Sequence, residues 1–165
     1  MIRRSVLFSP GDKPELLYKA AESGADTIVF DLEDAVAPAR KQHAREAVSA
    51  VLCDPSFAPD PEVCIRVNGT DELETEDIEA ITAGDPRLDA VMVPNVESPD
   101  DIDRITDLLR DNGRVLPIIA LCESAAGVLS AAEIAATDPV SALGFGAEDL
   151  TAAIGETRTE GDDEV

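Results

Sequence analysis

Lysine, histidine and cysteine are scarce in this chain of 165 residues. Its ammonium side chains are Lys13, Lys19 and Lys41, and all lie outside the apolar runs described below. A Schiff-base aldolase, which needs a lysine projecting from a barrel strand, is therefore not expected. The single histidine, His43, falls in the polar helical stretch "RKQHAREA" and is expected at the surface, so no Ser/His/Asp set can be assembled around it. Cys53, Cys64 and Cys122 form an odd count with no close pair, which argues against a disulfide framework and a structural zinc site. Cys122, beside Glu123, reads as a small buried residue and not as a nucleophile. No stretch approaches the roughly 18 apolar residues of a membrane helix. "RRSVLF" opens like a twin-arginine export signal, but its apolar run stops at Ser9–Pro10, short of the roughly 7–15 residues such a signal needs. A soluble, cytoplasmic chain is expected. The first apolar run is not followed by G-x-G-x-x-G, and there is no Walker-type loop, which weakens a nucleotide-binding reading.

Acid is abundant. Thirty-five Asp and Glu face thirteen Lys and Arg, for a formal net charge of −22. Self-repulsion on that scale destabilises a compact state at low ionic strength, and molar salt removes most of the penalty. The surface is therefore expected to be that of a protein from a salt-loving cytosol. The acids are spread along the chain instead of forming one tail, and no basic stripe offers a seat for nucleic acid.

Six short runs rich in Val, Ile, Leu and Phe recur: "SVLFS" at 5–9, "TIVFD" at 27–31, "VCIRV" at 63–67, "AVMVP" at 90–94, "LPIIAL" at 116–121 and "SALGF" at 141–145. They are apolar nearly throughout, as parallel strands covered on both faces are. Helical stretches lie between them. "PELLYKAAESG" opens on Pro14 and closes at Gly24. "SPDDIDRITDLLRDNG" places Ile102, Ile105, Leu108 and Leu109 on one face, with acids in its first turn and Gly113 at its end. "AAGVLSAAEIAA" suits a helix packed closely on a sheet. The strand spacing is near that of a (β/α)₈ barrel, with six units visible, and a doubly wound open sheet is the competing α/β architecture.

In both architectures the reactive edge is the C-terminal end of the strands. Those ends carry Asp31, Glu33 and Asp34; Arg66 and Asn68; Asn95; Glu123; and Glu148 with Asp149. Several carboxylates around one arginine suit a hard divalent cation holding an anionic substrate. The same acids are also at home solvated at loop starts and helix N-termini. Arg66 interrupts an apolar strand and needs a partner, which a buried structural ion pair would equally supply.

Taken in order, "RRSVLFSPGDKPELLYKA", "ADTIVFDLEDAVAPARKQHAR", "IRVNG", "LDAVMVPNVES", "ALCESAAGVLSAAEIA" and "ALGFGAEDL" resemble the HpcH/HpaI aldolase and citrate lyase β-subunit family, in particular its citrate-lyase-β-like and malyl-CoA lyase branch. The resemblance covers nearly the whole chain. It implies a TIM barrel, often trimeric or hexameric, and a Mg²⁺-dependent carbon–carbon lyase reaction on CoA or acyl-carrier thioesters such as malyl-CoA or citryl-CoA. Carried over by motif, Glu123 of "CES" and Asp149 of "GAED" are the metal ligands. Arg66 of "RVN" holds the carboxylate of an oxo-acid, with Glu33 and Asp34 of "DLED" supporting it in the catalytic site. CoA is highly anionic, and Arg4, Lys13, Arg40 and Lys41 are the cations expected to meet it.

Two departures from the family pattern stand out. "MVPN" carries Asn95 where family members commonly have Lys. The chain ends at "GETRTEGDDEV", where the pattern continues through about two further βα units that complete the barrel and supply a catalytic acid/base to a neighbouring subunit. Residues 1–165 are thus expected to form a single incomplete barrel domain with unpaired edges on its first and sixth strands. Three functional readings follow: a CoA-thioester lyase, a malyl-CoA thioesterase of the same family, or a non-catalytic fragment or assembly subunit.

Overall fold

The computed structural model describes residues 2–155. Six strands alternate with six helices: β1 Val6–Pro10, α1 Pro14–Ala21, β2 Thr27–Asp31, α2 Lys41–Leu52, β3 Glu62–Arg66, α3 Asp71–Thr82, β4 Ala90–Val93, α4 Pro99–Asp111, β5 Ile118–Cys122, α5 Ala125–Ala135, β6 Val140–Phe145 and α6 Ala147–Ala153. Every pairing is parallel, and the sheet order is the chain order, β1 to β6. A doubly wound sheet reverses its order at a switch point. This one does not reverse, so the sequential progression of a (β/α) barrel is the architecture present.

Local signals place the helices as expected. Pro14 occupies the first turn of α1, and Gly24 beyond its end takes φ +78°. Before α4, the Asp101 carboxylate accepts from the Ser98 and Glu97 N–H groups and from the Ser98 hydroxyl. Gly113 follows α4 with φ +74°.

Strand side chains alternate between two apolar layers. Ile28, Phe30, Val63, Ile65, Val91, Val93, Ile118 and Ala120 point outward into a core shared with Leu17, Val48, Ile78, Ile81, Ile102, Ile105 and Leu109 of the helices. Val29, Cys64, Ala90, Met92, Ile119 and Leu121 form the inner layer, with Ala142 packed against it. Burial on both faces is why these runs are almost continuously apolar.

Below the inner layer, at the N-terminal end of the strands, Arg3 binds both oxygens of Glu62 (2.6 and 2.7 Å), which also accepts from the Thr27 hydroxyl at 2.8 Å. Arg3 reaches Ser141 at the start of β6 at 3.3 Å. That contact links the two sides of the curled sheet, yet among the described residues β1 and β6 do not pair. Their apolar side chains are accordingly open: Phe8 is 45% exposed and Phe145 52%. The last residues of the chain, 156–165, lie outside the described residues.

Candidate functional site

Strand register assembles the site. Asp31 lies opposite Arg66 in the β2–β3 pairing, both at the last position of their strands. Parallel register puts both side chains on the inner face, one layer above Val29 and Cys64. The Arg66 guanidinium meets Asp31 in a two-pronged pair, Nε to Oδ1 at 2.8 Å and Nη2 to Oδ2 at 2.6 Å. Asp31, almost wholly buried, also accepts from the Glu33 N–H at 2.8 Å and the Ala35 N–H at 3.1 Å, which shapes the loop after β2. The remaining nitrogen, Nη1, lies 2.8 Å from Glu33 and 3.6 Å from exposed Asp34. The Phe8 ring lies under the guanidinium, its centroid 5.3 Å from Cζ.

Glu33 is the least settled member. Its Oε2 is buried and receives no well-directed hydrogen bond despite the short approach of Arg66. Burial pushes its carboxyl up to about 7; Arg66 opposes the rise, while Asp34, Glu123 and Asp31 add to it. Lys41 sets the backbone of the same loop, donating to the Leu32 and Glu33 carbonyls at 2.7 Å each.

Glu123 follows β5 directly and is buried, and its Oε2 accepts the Asn95 N–H at 3.0 Å. Burial raises its pKa, the Asn95 hydrogen bond opposes this, and the nearby charge of Asp149 raises it further. Asp149 stands in the first turn of α6, one strand over. The charge of Asp149 is thus close enough to disfavour the ionised form of Glu123, an arrangement that a cation would relieve. Among the described residues no three metal-ligating side chains converge. Two hard carboxylates, with the other positions left to water and substrate, fit Mg²⁺, which keeps several waters and uses one or two protein carboxylates.

A cavity of about 370 Å³ opens beside these groups, lined by the charged Arg66 and Glu123 and by the apolar Phe8, Met92, Leu121 and Phe145 among others.

Of the residues expected in the site, Arg66, Glu33, Asp34, Glu123 and Asp149 are brought together. Lys13 immediately precedes α1 on the same rim. Arg4 is not part of the assembly: it pairs with Asp26 (2.6 and 3.1 Å) ahead of β2, at the opposite end of the sheet. Arg40 pairs with Asp12 at 2.6 Å, and Lys41 is committed to backbone carbonyls. Asn68 also turns away from the site, to buried Asp77, which Arg45 holds at 2.6 Å. His43 is exposed on α2, and Cys122 is buried with its thiol pushed up by burial and by Glu123. The sequence puts Asp31 at a reactive strand end without identifying it as the partner of Arg66; the signal for that role is its parity with Val29 along β2.

The family model for HpcH/HpaI aldolase/citrate lyase matches residues 4–165. A (3S)-malyl-CoA thioesterase of Cereibacter sphaeroides is 40% identical over 147 residues, covering 89% of this chain and 50% of the relative. A citrate lyase subunit beta-like protein of Deinococcus radiodurans is 36% identical over 172 residues, covering 98% of this chain and 57% of the relative. Protein CitE from Mycobacterium tuberculosis, crystallised with magnesium, acetoacetate and coenzyme A, superposes with TM-score 0.79 at 34% identity, over 98% of this chain and 56% of that one. The chain therefore spans about half the length of the curated relatives it matches. With its sequential parallel sheet and its carboxylates at the strand ends, it belongs to the HpcH/HpaI aldolase/citrate lyase family.

Proposed function

We propose that this chain carries the metal- and acid-binding part of a Mg²⁺-dependent carbon–carbon lyase acting on the CoA thioester of a hydroxy acid such as malyl-CoA or citryl-CoA. The observation that carries the reading is the cavity at the C-terminal end of the parallel sheet that Arg66 and Glu123 line together, with the charge of Asp149 felt at Glu123. Held by Glu123 and Asp149, Mg²⁺ would act as a Lewis acid on substrate oxygens. The CitE crystal structure containing magnesium and coenzyme A supports the choice of both groups.

Arg66 is the anchor for the acid end of the substrate. Asp31 fixes two of its nitrogens, so the incoming carboxylate competes with Glu33 for Nη1. With its carboxyl pushed up to about 7, Glu33 is often protonated at neutral pH and yields that position readily. In the cleavage of malyl-CoA the hydroxyl loses its proton and the bond to the thioester's α-carbon breaks. Glyoxylate leaves, and the electron pair passes to an acetyl-CoA enolate, which is then protonated. Lys13, just ahead of α1 at the same end of the sheet, would meet CoA phosphates.

A second reading, hydrolysis of the thioester, is favoured by the malyl-CoA thioesterase among the relatives. The experiment is turnover of malyl-CoA in molar KCl with and without Mg²⁺, following glyoxylate and free CoA thiol separately. Mg²⁺-dependent glyoxylate that disappears in Glu123→Gln is the expected result. Free thiol without glyoxylate replaces the lyase by the thioesterase, and silence on both channels overturns a catalytic role for this chain.

A further inference from the structure

Two backbone features from separate loops meet the Glu123 carboxylate, one at each oxygen. At Oε2 the donor is the Asn95 N–H, at 3.0 Å. Asn95 has φ +52°, the left-handed region that few non-glycine residues enter and that asparagine tolerates best. At Oε1 the neighbour is Gly146. A Cβ built there would lie 2.5 Å from Oε1 and 2.6 Å from Cγ of Glu123. Gly146 itself has φ −94°, open to any L-residue, so its backbone does not call for glycine. What this position excludes is a side chain, and the group that would be displaced is Glu123.

We infer that Asn95 and Gly146 are positioning residues for Glu123: the left-handed turn after β4 aims one N–H at Oε2, and the bare Cα after β6 leaves the space that Oε1 fills. Neither residue supplies a metal ligand from its side chain in this reading, which rests on Glu123 being a Mg²⁺ ligand. Together they hold a buried glutamate side chain, which has three rotatable bonds, in one place where it would otherwise sample several rotamers. Groups that orient metal ligands in this way typically contribute about 10–100-fold to metal affinity. This also accounts for the second glycine of "GFGAEDL": it makes room for the carboxylate of the preceding strand, two residues before the motif presents its own acids.

The test is Mg²⁺ binding by titration calorimetry, with thermal unfolding in parallel, on the 165-residue chain and four variants. In Gly146→Ala the overlap, which reaches Cγ and Cδ as well as Oε1, is relieved by swinging the Glu123 side chain away from position 146. Affinity is expected to fall about tenfold or more while the melting temperature stays within a few degrees. Asn95→Gly keeps both the N–H and access to positive φ, so affinity stays within about threefold of the parent. Asn95→Val, β-branched and strongly disfavoured there, drives the turn out of the left-handed region, and affinity falls by about tenfold or more. Glu123→Gln is the reference for loss of the ligand itself. If Glu123→Gln loses Mg²⁺ while Gly146→Ala and Asn95→Val bind like the parent, the positioning inference is overturned and the metal assignment stands. If Glu123→Gln binds Mg²⁺ normally, or the parent does not bind it, the metal assignment falls and the inference with it. Should Gly146→Ala fail to fold, the contrast between Asn95→Gly and Asn95→Val decides.

Discussion

Arg66 is tolerated in an apolar strand because Asp31, in register on the neighbouring strand, accepts from two nitrogens along one edge of its guanidinium. Both groups are largely withdrawn from water, and removing Asp31 leaves two buried nitrogens of Arg66 unpaired, with Glu33 and exposed Asp34 beside Nη1 only. Asp31→Asn is expected to cost about 3–5 kcal/mol in urea unfolding. Replacing the pair together by Leu and Met should recover much of that loss, although the anion site goes with it. A loss within experimental error in the single variant would show that Glu33 and Asp34 suffice as counter-ions for Arg66. Glu33 makes a different prediction. Its folded pKa of about 7 stands above the ordinary carboxyl value of 4.5, so between those values the folded chain holds a proton that the unfolded chain has released. Stability must then fall as pH rises through that window. In the metal-free chain, thermal midpoints from about pH 4.5 to pH 8 should decline, and Glu33→Gln should decline less. The raised pKa of Glu123 acts in the same direction and leaves a residual slope. Parallel curves for the parent and Glu33→Gln would contradict the burial argument.

Helix α5 shows sterics overruling propensity. Gly127 sits in its first turn, where alanine would ordinarily be better by about 1 kcal/mol. A Cβ at 127, however, would fall well inside contact distance of the Val96 carbonyl, and a backbone atom cannot swing aside. Overpacking of this kind costs about 1–3 kcal/mol, so Gly127→Ala should destabilise despite the gain in propensity. A higher melting temperature for the variant would mean that α5 does not approach the loop this closely. The same contrast explains what could be read from the chain before its structure. The outward-facing apolar residues and the Pro, Ser and Gly helix boundaries depend on near neighbours, and they locate the six strands and helices α1, α4 and α5 to within a few residues. The apolar run at 116–121 includes Leu116 and Pro117, but Pro117 has no N–H to give to a ladder, and β5 starts at Ile118. Glu62 opens β3 as a buried acid because Arg3 and Thr27, far away in sequence, bind it. In the site, the residues at strand ends were legible, since that edge is reactive in any parallel α/β fold. The roles of Asp31, Lys41, Asn95 and Gly146 were not, because each depends on register or on approach across loops. Arg4 was misplaced for the same reason: sequence proximity to the first strand does not say which end of the sheet a cation serves.

Across the whole molecule the acids outnumber the cations by 35 to 13, and many of those cations are already committed. Arg45 is buried against Asp77, Arg66 against Asp31, and Arg104 bridges α4 to buried Glu74. The surface excess of negative charge is therefore left to the solvent to screen. Screening has a recognisable concentration dependence. The Debye length shortens from about 10 Å at 0.1 M to about 3 Å at 1 M, after which little repulsion remains to remove. The melting temperature should therefore rise steeply between about 0.05 and 1 M KCl and then flatten. A salt effect acting through apolar burial would keep rising with concentration, because it comes from exclusion of ions from the surface and not from neutralised repulsion. The exposed inner edges at Phe8 and Phe145 would respond to that second term, so the shape of the curve separates the two. Adding sucrose at low ionic strength completes the test, since it strengthens burial without screening charge. If sucrose matches 1 M KCl, the acidic surface is incidental to stability. If only KCl stabilises, and its effect saturates, charge repulsion is the term that sets where this fold can exist.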